Sequence, residues 1–333
     1  MKKIITILLS AALCLSTAAC GKKDVSEASS ISEPEAISYK IAAVFKAEDT
    51  AAKQTLAGFL AAAKELNIKV NMTDFYGDAQ AERKALAELN SENCDGIISM
   101  PSAGEASVAE LSRAAARGVP IAIVNMPLKN NDFAVLAPYT SDYDLGAAAG
   151  KEAKAYIEAE LGGKADIMIL EHISKNKNEN IQKLNGFLDQ IKDMKDAKPV
   201  RNIKSATVEE MTTQLKGYFD GAGDKAAEII FCTDADGLLA SQKAVADPAF
   251  KRKTAIFGIG LNEEIASVLK SESSAIRAIA ATDYWQMGYD NANAILSAAK
   301  SGTAKAAEQK SAAPKVLKSS DDSSKRYMTK AFA

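Results

Sequence analysis

From residue 39 onward, short apolar runs alternate with longer stretches whose apolar residues recur every three or four positions. The runs 41–45, 70–74, 96–100 and 121–125 have the length and composition of buried strands. Between them, the stretch 51–66 places Leu56, Phe59, Leu60, Ala63 and Leu66 on one helical face. The stretch 79–90 does the same with Leu86 and Leu89, and 105–117 with Val108, Leu111 and Ala115 before Gly118 and Pro120 close it. After a run at 133–137 the rhythm restarts. Strands are predicted at 167–170, 200–203, 229–232, 255–258 and 276–281, and helices at about 145–161, 178–194, 208–218, 238–245, 263–270 and 286–299. A further short strand at 314–317 reads as a final strap. Strand–helix–strand units of this length make right-handed crossovers in parallel sheets. Two such sets predict an α/β fold of two doubly wound, parallel-sheet lobes. Ligands of such sheets bind beyond the carboxyl ends of the strands, so facing lobes form a cleft.

The start of the chain follows another pattern. Lys2 and Lys3 precede a mostly apolar stretch, 4–19, too short for a membrane span and ending in small residues. This is the form of an export signal. Residues 21–38, rich in Ser and Glu, cannot support a core and read as a flexible tether.

Composition narrows the function classes. Of 333 residues, 47% are hydrophobic, and 41 basic residues nearly balance 43 acidic ones, which lacks the excess of a dedicated nucleic-acid binder. One histidine and four cysteines give no basis for a His-rich metal centre or a disulfide framework. Cys94 and Cys232 adjoin strand-like runs and read as buried thiols. No nucleophile elbow, phosphate loop or metal spacing is present, and Gly258-Ile-Gly260 has Glu263 where a dinucleotide fingerprint needs its third glycine. The expectation is a binder without cofactor or catalysis.

The order of motifs then carries a resemblance. It runs through 40–45, Ala62-Ala-Lys-Glu-Leu66, Cys94-Asp-Gly-Ile-Ile-Ser-Met-Pro101, 117–124, Ser141-Asp142 before Gly146 and Gly150, Leu184-Asn-Gly-Phe187, 230–234, 257–260 and Met287-Gly288. In these motifs the chain resembles the type I periplasmic binding proteins, the ribose/galactose-type sugar-binding components of ABC transporters. Ser16 to Gly21 resembles the lipobox of bacterial lipoproteins, which implies lipid attachment at Cys20. The resemblance implies two lobes joined by three hinge strands, with crossovers near 126–131, 281–284 and the final strap. The division expected is 1–19 leader, 20–38 anchor and tether, 39–127 with 283–313 as N-lobe, and 128–282 with 314–333 as C-lobe. It implies an exported, lipid-anchored monomer that closes on a small polar solute and presents it to an ABC permease. The alternative is a sensing subunit that passes the closed form to a chemoreceptor or kinase.

Where sugar-binding relatives carry stacking aromatics, the first loop here has Glu48 and Asp49, which read as helix caps or ligand contacts. Asn125, Thr233 and Asp234 end strands where relatives place ligand-binding residues, and Asp234 equally suits a helix cap. His172 ends a strand of the second set and reads as structural or as a cleft contact, with Asn180 in the loop and helix that follow. Asp283, Tyr284 and Trp285 stand at the second crossover. Trp285, the only tryptophan, suits a stacking wall or hinge packing equally.

Overall fold

Runs buried on both faces organise the chain into two sheets, each covered by helices on either side. The computed structural model describes residues 38–332 apart from 47, 76–78, 90–93, 103–104, 127–131, 174–176, 251 and 303–310. The expected leader, Cys20 and the tether up to residue 37 lie outside the described residues.

The first sheet contains β1 (Lys40–Lys46), β2 (Lys69–Phe75), β3 (Gly96–Ser99), β4 (Ile121–Ile123) and β5 (Ala134–Leu136), all parallel, in the order β2-β1-β3-β4-β5. Helices α1 (Thr50–Glu65), α2 (Ala79–Leu89) and α3 (Glu105–Ala116) make its crossovers. Alternation along β1 shows why the run is apolar throughout. Ile41, Ala43 and Phe45 pack with Phe59 of α1 on one face, while Ala42 and Val44 pack with Leu86 and Leu111 on the other.

The second sheet contains β6 (Lys164–His172), β7 (Asp196–Ser205), β8 (Ile229–Cys232), β9 (Ala255–Ile259), β10 (Ile276–Ala281) and β11 (Lys315–Lys318), in the order β11-β10-β9-β8-β6-β7. Only β11 runs antiparallel to its neighbour. Helices α4 (Asp142–Glu160) and α5 (Lys177–Ile191) cover one face, and α6 (Val208–Ala222), α7 (Ala235–Val245) and α8 (Glu263–Lys270) the other. The chain then returns to the first lobe as α9 (Tyr284–Ser301), whose Met287, Ala292 and Ile295 join the core around Phe59. Gly58 makes that return possible: a Cβ there would fall 1.8 Å from the Trp285 carbonyl oxygen, so α1 and α9 meet backbone to backbone. Cys94 and Cys232 are both free thiols, but only Cys232 is buried as expected; Cys94 is half-buried.

Two expectations need correction. The first crossover does not fall at 126–131, and the C-lobe does not begin at 128. β5 lies beyond that point and is hydrogen-bonded to β4, because its apolar triplet supplies the edge of the first sheet, so the chain crosses after Leu136. A helix also follows the final strap: α10 (Asp322–Ala331) inserts Tyr327, Met328 and Ala331 into the core that holds Trp285. Two connections between the sheets run side by side, with Tyr139 bridged to Ser311 and the Ala312 N–H donating to the Tyr139 carbonyl at 2.7 Å.

Candidate functional site

A cavity of about 520 Å³ opens at the carboxyl ends of the strands, where the two sheets face each other across their connections. Asn125 after β4, Gly260 and Leu261 after β9, and Thr282 after β10 contribute to its wall. Gln54 of α1 reaches it from the first lobe, and the turn 139–143 brings Tyr139, Thr140, Asp142 and Tyr143. On α5, Glu179, Gln182 and Lys183 share the helical face that completes the lining.

Local chemistry sets these positions. Ser141 caps α4 by accepting from the Asp144 N–H at 3.0 Å, which fixes Thr140 and Asp142 on either side of the cap. α4 and α5 can bring Asp142 and Lys183 together because small residues let their backbones touch. A Cβ on Gly146 would lie 1.9 Å from the Lys183 carbonyl oxygen, and one on Gly186 would lie 2.1 Å from that of Tyr143. The Lys183 ammonium stands 3.5 Å from the Asp142 carboxylate. Burial holds the Asp142 carboxyl above the usual carboxylate range; Lys183 opposes that shift and Glu179 adds to it.

Asn125 is the linchpin between the lobes. It adopts a left-handed backbone (φ 48°), which its short amide tolerates. Its Nδ2 donates to the Tyr284 hydroxyl at 3.1 Å, and its Oδ1 accepts from the Thr140 N–H at 3.1 Å. Burial pushes the Tyr284 hydroxyl up to about 12, against hydrogen bonds from Thr282 and Asn125. Across the cavity, Gln54 Nε2 donates to the Leu261 carbonyl at 3.4 Å and so links α1 to the segment after β9. Thr140 is 8% exposed, yet its Oγ1 has no hydrogen-bond partner among the described residues.

Of the ten residues singled out from sequence, Asn125 and Tyr284 line this cavity. Four others gather at the carboxyl end of the second sheet, where the α7 N-terminus lies against Gly260 of the cavity wall. His172 Nε2 is 3.5 Å from Asp236 Oδ2, and Asn180 Nδ2 donates to the His172 carbonyl at 3.1 Å. Asp234 caps α7 through Oδ1, which accepts from the Gly237 N–H at 2.9 Å. Asn180 Oδ1, Thr233 Oγ1 and Asp234 Oδ2 are buried without partners among the described residues.

The remaining four stand outside the cavity lining. Asp49 caps α1, accepting from the Ala52 N–H at 2.9 Å, and Glu48 lies 3.5 Å from Lys46 in the preceding turn. Asp283 caps α9 and accepts from the Tyr327 hydroxyl at 2.7 Å. Trp285 packs under α10, with the Lys330 ammonium 3.0 Å from its ring centroid and Tyr289 stacked at 5.3 Å. Of the two readings left open for Trp285, hinge packing is the one its surroundings match. The residues singled out from sequence include Asn180 of α5 but not Glu179, Gln182 and Lys183, although these three have the i, i+3, i+4 spacing that signals one shared face. Among the described residues, no group of three or more His, Cys, Asp or Glu side chains is placed to hold a metal ion. No described helix is long and apolar enough to cross a membrane.

Comparison with known proteins fits this geometry. The profile of the periplasmic binding protein domain matches residues 41–304. A search of curated protein sequences finds no match. Among solved structures, an arabinose-binding protein from Geobacillus stearothermophilus aligns with a TM-score of 0.69 at 18% identity, covering 89% of this chain and 100% of that one. A periplasmic ribose ABC transporter protein from Conexibacter woesei aligns at 0.68 and 15% identity, covering 88% of this chain and 95% of that one. A carbohydrate transporter solute-binding protein from Agrobacterium radiobacter, solved with D-arabinose, aligns at 0.63 and 19%, covering 89% and 99%. At these identities the structural likeness speaks for the fold, and the domain match extends over most of the chain. The chain therefore belongs to the periplasmic binding protein family, with the two-lobed type I architecture its sequence resembles.

Proposed function

We propose that this protein is the solute-binding component of an ABC importer and takes a small polar solute of the sugar class into the cavity between its lobes. The observation that carries this reading is the Thr140 hydroxyl, buried at the cavity wall with no partner among the described residues. A hydroxyl shut away from water without a hydrogen bond costs about 1–3 kcal/mol, which a bound solute would offset. Gln54, Asn125, Gln182 and Thr282 add neutral polar groups suited to hydroxyls, and Tyr139 and Tyr284 add aromatic surface. The sugars of the aligned proteins, arabinose for two that bind it and ribose for a transporter protein, support the same class.

In this reading the lobes close by population shift, because a solute touching both lobes stabilises only the closed arrangement. The basic and apolar start and the small residues before Cys20 support export and lipid anchoring outside the cytoplasmic membrane, with the protein acting as a monomer beside its permease. The test is a thermal-shift and calorimetric series with D-ribose, L-arabinose and D-galactose on the wild-type protein and Thr140→Val. The exchange keeps shape and removes the hydroxyl, so affinity for the bound sugar should fall about tenfold while the melting temperature of the free protein is kept or raised. Unchanged affinity in Thr140→Val would remove the cavity from the binding site.

A further inference from the structure

The charges and the orphaned atoms around the cavity all ask for the same kind of ligand group. Three acidic or basic side chains line the cavity, Asp142, Glu179 and Lys183. Lys183 is committed to Asp142 at 3.5 Å. Glu179 has no hydrogen-bonded or ion-paired partner among the described residues, so one negative charge in the wall is left unmatched. Charge in a recess partly shielded from water is costly unless an opposite charge meets it.

The hydrogen-bonding inventory points the same way. Every buried side-chain atom left without a partner among the described residues is an oxygen. Thr140, a residue of the cavity wall, is more than nine-tenths buried, and its Oγ1 has no hydrogen-bond partner among the described residues. At the adjoining carboxyl end of the second sheet, Asp234 Oδ2 is a carboxylate oxygen and accepts only. Asn180 Oδ1 also accepts only, because its Nδ2 is already directed to the His172 carbonyl at 3.1 Å. Among the described residues, no buried N–H donor side chain is left over to receive an anionic oxygen. The Asn180 and Asp234 oxygens suit donors, while the Thr140 hydroxyl can either donate or accept. The tyrosines in the wall add aromatic faces, which favour a cation.

We infer that the cavity takes a hydroxylated solute bearing a protonated amine, of the amino-sugar class, with the Glu179 carboxylate as its counter-charge. This rests on the cavity being the solute site. A neutral sugar satisfies the hydroxyl-binding groups but leaves Glu179 unmatched, whereas an ammonium on the same ring meets it.

The experiment compares three ring-matched probes, D-galactose, D-galactosamine and D-galacturonate, by calorimetry and thermal shift on wild-type protein, Glu179→Gln and the remote control Glu209→Gln. The expected result is galactosamine binding about tenfold more tightly than galactose, with galacturonate weakest. In Glu179→Gln the amine's advantage should shrink to about twofold or less, while Glu209→Gln, on the far face of the second lobe, keeps the wild-type ratio. Equal binding of galactose and galactosamine, or preference for galacturonate through Lys183, overturns the charge assignment and leaves the cavity standing. An amine preference that survives in Glu179→Gln overturns the role of Glu179. Failure of all three probes to shift the melting temperature overturns the reading of the cavity itself, and the assignment with it.

Discussion

Asn125 shows how much one side chain can carry at the junction of two lobes. Its backbone sits at φ 48°, and both ends of its amide are used, one toward Tyr284 and one toward the Thr140 N–H. An aspartate in its place would keep the acceptor for Thr140 and tolerate the left-handed backbone, and the Tyr284 hydroxyl can turn to donate to it. Leucine would lose both hydrogen bonds, strand the Thr140 N–H and strain the backbone. Asn125→Leu should therefore cost about 2–4 kcal/mol of stability in urea unfolding, and Asn125→Asp about 1 kcal/mol or less. Equal losses in both variants would show that the amide is a bystander to the local backbone.

At the scale of elements, the case of α10 separates what the sequence reveals from what it conceals. Period-two and period-3.6 patterns locate the strands of both sheets and most helices, because each of those elements buries a continuous apolar face. α10 buries Ser324 and just three apolar residues, Tyr327, Met328 and Ala331, among Lys, Arg, Ser and Thr, so its pattern is too sparse to register. It is held at its start by Asp321, which accepts from the Ser323 N–H at 3.0 Å and from the Ser324 hydroxyl at 3.0 Å. The Ser323 and Ser324 donors hold the Asp321 carboxyl down at about 2. A lowered carboxyl contributes stability above its unfolded value, about 3.9, that is lost as the pH falls toward 2. Protection factors across α10, exchange rates corrected for the intrinsic rate at each pH, should stay high at pH 5 and fall between about pH 4 and 2, and Asp321→Ala should show the lowered protection already at pH 5. Protection in Asp321→Ala equal to wild type would assign the hold on α10 to its buried face alone. The site is legible in the same uneven way. Asn125 and Tyr284 stand out because they end a strand and begin a crossover. The α5 face does not, since its Glu, Gln and Lys are the residues of an ordinary solvated helix until the Gly146 and Gly186 contact with α4 turns them inward. Asp49 and Asp283 read as ligand candidates but stand outside the lining as caps, because one short carboxylate serves either purpose and only the helix beginning beside it decides.

For the whole molecule, the question is what holds the lobes together over the cavity when no solute is present. Among the described residues, the Gln54 side chain supplies one such link, reaching from α1 to the Leu261 carbonyl at 3.4 Å. A bond that long is weak, on the order of 0.5–1 kcal/mol, so in the proposed closure it would bias the closed arrangement without locking it. Truncating it should shift the free protein toward the open arrangement. A solute whose binding requires closure then loses that shift from its apparent affinity. Gln54→Ala is therefore expected to raise the apparent dissociation constant of the tightest-binding sugar about two- to fivefold and to leave the melting temperature of the free protein within about 2 °C. Trp285 provides an internal reporter, because it begins α9 in one lobe and lies under Lys330 of α10, which is joined to the other lobe through β11. Its emission should change on titration with the sugar, and small-angle scattering should show the radius of gyration falling in step. In Gln54→Ala the free protein should start from a larger radius and reach the same bound value. Identical radii for the two free proteins, with identical affinities, would mean that closure does not pass through this contact.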